Sequence, residues 1–191
     1  MRSLTILTSA FFLVLSAGVA NAKIADTTRS LGAGQLSLAG EFQATDNGGG
    51  ALNLHEEIGL RSGLDLVLDQ TVGVTDGAPD FVFGAGIKWT FLNNTRNSPG
   101  LALWATGIFN LDSNDAGFRG HFMVDNTWGK FTPYLALDLD IIFADETVTA
   151  VSLIGGSRIG LVRNVAAFVE GGLGINDEAP EFLSAGIRVD L

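Results

Sequence analysis

The chain has no cysteine among its 191 residues, which removes a disulfide framework, a thiolate metal site and a cysteine nucleophile at once. Basic residues are scarce. Eleven Lys and Arg stand against 21 Asp and Glu, and the net charge of −10 excludes a nucleic-acid partner, whose binding rests on neutralised phosphates. Proline occurs four times, as Pro79, Pro99, Pro133 and Pro180, so it can interrupt very little. No apolar run after the N-terminus reaches the ~20 residues of a spanning helix, which excludes a helical membrane protein. It leaves open any fold that crosses a bilayer with strands.

The first 22 residues read as a secretory signal. Arg2 supplies a positive start, Leu4 to Leu15 is largely apolar, and Ala20-Asn21-Ala22 is a small-x-small cleavage site. Cleavage would leave a chain that begins at Lys23, with 23–34 as an N-terminal arm and 35–191 as one domain. The fold must then support itself without covalent staples.

From Gln35 onward the residues alternate with period two, the mark of strands with unlike faces. Ten strands are predicted near 35–43, 51–60, 64–74, 81–92, 101–111, 118–129, 131–143, 147–161, 165–175 and 182–191. The prolines fall between them or at strand starts, as they must where an N–H is needed for the ladder. The connections switch charge in turn. Acid alone marks one set: Asp46; Asp76 and Asp80; Asp112 and Asp115; Asp145 and Glu146; Asp177, Glu178 and Glu181. Base alone marks those between: Arg61, Arg96, Lys130 and Arg163. So regular a switch requires successive connections to lie at opposite ends of an up-and-down sheet.

One face of every strand is apolar, as in Leu64, Leu66, Leu68 and Val72, or Leu135, Leu137, Leu139 and Ile141. The other is small or polar and carries Asp65, Asp69, Lys88, Arg119, His121, Asp125, Asp138, Asp140, Arg158, Glu170 and Arg188. It also takes Glu41, Glu57, His55 and Asp190. A solvated surface would carry more Lys and Glu than this face does, so the polar face is expected inside. Aromatics on the apolar face gather near the strand ends: Phe42, Phe81, Phe83, Phe109, Phe118 and Phe143 towards the acidic rim, Trp89, Phe91, Trp128 and Phe131 towards the basic one. Two such girdles around an aliphatic belt suit the two membrane interfaces. The reading is an all-β, ten-stranded, antiparallel transmembrane barrel, with eight strands as the alternative. Glu56 is a local conflict, because simple alternation turns it towards lipid; a bulge at His55-Glu56-Glu57 is expected to turn it inward.

Two stretches carry a family resemblance. The last strand, Ser184-x-Gly186-x-x-Val189-x-Leu191, resembles the C-terminal signal by which bacterial outer-membrane barrels are recognised for insertion, although many of those end in Phe or Trp. Phe131-Thr132-Pro133-Tyr134-Leu135 resembles a strand opening of small porin-like and OmpA-like barrels. The resemblance implies the outer membrane of a Gram-negative bacterium, handling by the barrel-assembly machinery, and contact with lipid and lipopolysaccharide. It also implies periplasmic termini and basic turns, with the acidic loops outside.

Three functions follow as expectations. Inward charges must pair or be hydrated, so the foremost is a non-enzymatic barrel, either structural or a narrow pore biased to cations by its excess of lumenal carboxylates. The alternative is a binding module whose acidic rim meets lipopolysaccharide phosphates through divalent cations such as Mg²⁺ or Ca²⁺. An envelope enzyme ranks third, with no catalytic residue assigned and no cofactor expected. His121 and Asp125 sit about 4 × 3.3 Å apart on one strand, too far for a direct hydrogen bond. Neither His-x-Ser nor Gly-x-Ser-x-Gly occurs.

Overall fold

The computed structural model describes residues 27–46, 48–75, 78–95 and 98–191. The expected signal segment 1–22, the start of the arm, Asp76 and Arg96 lie outside the described residues. Ten antiparallel strands follow one another: β1 (Leu36–Thr45), β2 (Gly50–Arg61), β3 (Leu64–Thr75), β4 (Ala78–Leu92), β5 (Gly100–Asn110), β6 (Ala116–Asp125), β7 (Phe131–Phe143), β8 (Thr147–Val162), β9 (Val165–Gly174) and β10 (Phe182–Asp190). Each pairs with its sequence neighbours, and β1 pairs with β10, so the meander closes into a barrel without a free edge. The eight-stranded alternative is excluded. The largest boundary difference is at β6, expected over 118–129. It ends at Asp125 because Asn126 to Lys130 leaves the ladder for a turn in which Trp128 and Phe131 pair with each other.

Alternation sorts the side chains. Outward stand large apolar groups, including Phe83, Ile87, Leu135, Leu137, Leu153 and Ile187, all well exposed. Inward stand Asp65, Lys88, Arg119, Asp138, Asp140, Glu170 and Arg188, each no more than 2% exposed. Charge inside and hydrocarbon outside is the reverse of a water-soluble fold, and it is the partition a bilayer demands. The barrel is therefore a transmembrane one. Its interior is not purely polar, which corrects the expectation of a small or polar lining. Val67, Trp104, Met123, Tyr134, Ile154 and Phe182 form an apolar cluster within it.

Three register shifts fall between Gly59 and Arg61, Thr90 and Leu92, and Gly160 and Val162, all beside basic-end turns. None falls at Glu56. Pairing runs unbroken through His55, Glu56 and Glu57, and Glu56 stays on the outer face opposite Leu38 and Leu68. The expected bulge is thus absent. The cause lies in its neighbours: His55 and Glu57 both engage partners inside, so the residue between them must point out.

The partition predicts a depth-dependent effect of charge on the outer face. Leu137→Arg, in mid-strand, should lower bilayer-refolding stability by about 2–4 kcal/mol, and Phe143→Arg, at the strand end, by about 0–1 kcal/mol. Denaturant titrations of the barrel in lipid vesicles measure both.

Candidate functional site

The interior charges pair mainly across neighbouring strands. Arg119 lies opposite Asp140, and its guanidinium donates from Nε to Oδ1 at 2.6 Å and from one terminal nitrogen to Oδ2 at 2.9 Å. His121 lies opposite Asp138, with Nδ1 and Oδ1 2.8 Å apart. His55 lies opposite Asp69, their Nδ1 and Oδ1 2.6 Å apart. Lys88 lies opposite Asp65, 3.6 Å from its carboxylate, and also holds Glu57, whose other oxygen accepts from Arg188 at 3.1 Å. Directly opposed side chains are the natural contacts of a sheet, so each pair also fixes the register of its strands.

Three further carboxylates accept hydrogen bonds from neutral donors. Tyr134 reaches past Gly156 to donate its hydroxyl to Glu170 at 2.6 Å. A Cβ on Gly156 would come within 2.4 Å of the tyrosine ring, so only glycine leaves that path open. Glu41 accepts from Asn53 at 2.6 Å and from Ser184 at 3.3 Å. Asp125 is the third, and its donors come largely from an unexpected source.

That source is the N-terminal arm, which enters the barrel at its basic end instead of standing outside it. Thr27 and Thr28 are 3% and 0% exposed. The Thr28 N–H and hydroxyl donate to Asp125 at 3.1 and 2.5 Å, and Asn94 donates to the same carboxylate at 2.6 Å. The Ser30 hydroxyl and the Leu31 N–H both donate to Asp65 at 3.1 Å. Lys88 donates to the carbonyls of Thr27 and Arg29 at 3.2 Å, and Thr90 to that of Thr28 at 2.8 Å. Gly100 makes room for this. A Cβ there would sit 1.7 Å from the Thr28 hydroxyl oxygen.

Around the arm the basic mouth holds two cavities. One, of about 470 Å³, is lined by Arg29, Arg158, Arg163 and Arg188 together with Asp190. The other, of about 480 Å³, is lined by Arg29, Arg158, Asn94 and Asp125 among others. Arg158 is half-buried here, and Asp190 is not a deep lumenal residue: its side chain is 52% exposed and accepts from Arg188 at 2.9 Å.

At the opposite rim Asp46, Asp112, Asp145, Glu146, Asp177, Glu178 and Glu181 are exposed, and Asp80 and Asp115 are half-buried. Asp112 accepts from the Phe81 N–H at 2.6 Å, which ties the loop after β5 to β4. Among the described residues no group of three or more His, Asp or Glu converges on a point that would hold a metal ion. Of the residues expected to form an insertion signal, Ser184 is buried, Gly186 and Val189 are half-buried and Leu191 is exposed. Sequence reasoning missed Trp104 and the arm. Lys88 Nζ stands 5.6 Å from the Trp104 ring centre, and His121 meets the same ring edge-on at 5.9 Å.

The buried pairs carry a test. Asp140→Ala leaves the Arg119 guanidinium buried without its bidentate partner and should cost about 3–5 kcal/mol. The double replacement Arg119→Met with Asp140→Leu should recover most of that loss. Denaturation of the detergent-solubilised barrel, unaltered and in each variant, measures both.

No family model matches the chain, and no curated protein matches it. Solved structures similar to it include a designed transmembrane β-barrel, at 11% identity and a TM-score of 0.45, with 85% of this chain and 99% of that one covered. The N-terminal β-barrel domain of Pseudomonas aeruginosa OprF is similar at 11% identity and a TM-score of 0.39, covering 84% of this chain and 100% of that domain. The KdgM porin, solved in complex with disordered oligogalacturonate, is similar at 10% identity and a TM-score of 0.47, covering 82% and 99%. The closed ten-strand sheet, with its charges inside and its hydrocarbon outside, makes this chain a membrane-spanning β-barrel.

Proposed function

We propose that this protein is a non-enzymatic β-barrel of the bacterial outer membrane whose lumen is closed in the conformation described. The observation that carries the reading is the arm. Thr27 to Leu31 occupies the basic mouth and is held there by buried carboxylates, with the Lys88 ammonium gripping its backbone. Behind it the interior is filled by paired charges and by the cluster around Trp104. Ten strands lie near the size at which side chains alone fill a barrel, so a wide aqueous channel is not supported. Hydrogen bonds to charged groups contribute about 1.5–3 kcal/mol each, and several such bonds keep the arm seated.

A second reading, a narrow pore with cation preference, is favoured by one count. Among the described residues eight carboxylates are buried, Glu41, Glu57, Asp65, Asp69, Asp125, Asp138, Asp140 and Glu170, against Lys88, Arg119 and Arg188 and the two histidines His55 and His121. Once the arm leaves, such a lining attracts cations and repels anions. Engagement of the acidic rim with lipopolysaccharide would then need phosphate oxygens to complete any divalent-cation shell, because the described rim residues alone do not assemble one. Delivery by the barrel-assembly machinery through the Ser184-to-Leu191 strand belongs to the same proposal.

Planar-bilayer recordings test the two readings together. The unaltered barrel should be silent. Gly100→Leu, which removes the space for Thr28, should give small cation-selective steps. Steady conductance from the unaltered barrel would refute closure. Silence from a correctly folded, heat-modifiable Gly100→Leu barrel would refute the pore.

A further inference from the structure

We infer that the cavity of about 470 Å³ in the basic mouth is a binding site for a phosphate group. The inference concerns the mouth alone and does not depend on whether the lumen conducts. Four guanidinium groups line the cavity, from Arg29, Arg158, Arg163 and Arg188, and among the described residues lining it only Asp190 has an acidic side chain. Such a concentration of positive charge is out of keeping with a chain whose net charge is −10.

The four arginines divide by partner. Arg188 pairs with the buried Glu57 and the more exposed Asp190, and Arg158 is half-buried. Arg29 and Arg163 are exposed at the opening, and no carboxylate pairs with either among the described residues. The main chain that carries each of them is anchored. Arg29 lies between Thr28 and Ser30, which Asp125 and Asp65 anchor, and its carbonyl accepts from Lys88. Arg163 lies in the two-residue turn between β8 and β9, where the carbonyl of Asn164 accepts from the Asp190 N–H at 2.9 Å. The mouth therefore presents two exposed guanidinium groups, on anchored backbone, with no carboxylate partner among the described residues. A phosphate suits them better than a carboxylate, because it carries up to two negative charges and offers three oxygens to paired N–H donors.

Two sources of that chemistry exist at a membrane rim: a soluble phosphate compound, or the headgroup of a phospholipid. Isothermal titration of the folded barrel with inorganic pyrophosphate at fixed ionic strength tests the first. Thermal shift in nanodiscs of phosphatidylglycerol against phosphatidylcholine tests the second. Saturable binding of pyrophosphate, or stabilisation specific to phosphatidylglycerol, is expected, and either supports the site and names its source. The double variant Arg29→Gln with Arg163→Gln should weaken that binding at least tenfold. The control pair Arg61→Gln with Lys130→Gln, on the same rim but outside the cavity, should change it less than twofold. All four residues are exposed, and heat-modifiability on gels verifies that each variant is folded. Equal loss in the two double variants would reduce the site to a diffuse field and overturn the inference, as would the absence of any response to either probe.

Discussion

A charged side chain turned into a closed barrel must find its partner within the lumen, most readily on the strand beside it, and the rest of this structure follows from that constraint. Asp69 meets His55, Lys88 meets Asp65, Arg119 meets Asp140 and His121 meets Asp138, each across one pair of strands. A slip of one residue in any of these ladders would turn the buried charges to lipid and the leucines inward. The pairs therefore specify register as well as satisfying charge. They do so at positions where β-propensity alone would allow several alignments, because the apolar face is so uniform.

The same constraint explains why the arm is inside. Cross-strand pairing leaves more carboxylates than bases in the lumen, and a buried carboxylate without a donor is costly. Tyr134 and Asn53 supply neutral donors to Glu170 and Glu41. Asp125 and Asp65 draw theirs largely from the backbone and hydroxyls of Thr28, Ser30 and Leu31. The arm thus completes the interior, and in doing so it carries Arg29 to the mouth.

The ten strands, the two faces and the two rims were legible in the amino-acid order because each rests on a local rule. Period two sets the faces, and a closed meander sends alternate turns to opposite ends. Arg61, Lys130 and Arg163 do lie at one end, and Asp46, Asp112, Asp145 and Asp177 at the other. The partners of the interior charges were not legible, since pairing depends on stagger between strands, which period two does not encode. The arm was illegible for a different reason. Its residues have no periodicity, and they order only because buried acceptors await them. Gly100 was a faint clue, a glycine opening a strand opposite Asp125. Trp104 escaped notice because a large aromatic on the inner face contradicts the simple division into polar and apolar sides.

Glu56 shows how magnitudes settle a local conflict. Turning it inward would require a bulge, and a bulge there would rotate either His55 or Glu57 out of the lumen. Glu57 is joined to both Lys88 and Arg188, and His55 to Asp69. Breaking a buried pair of this kind costs about 3–5 kcal/mol. A basic side chain facing lipid at mid-depth costs about 2–4 kcal/mol, and an acidic one less. Leaving Glu56 half-buried between Leu38 and Leu68 on the outer face is therefore the smaller loss. The regular ladder through β2 is what that balance dictates, and the exception on the lipid face is the direct consequence of order within.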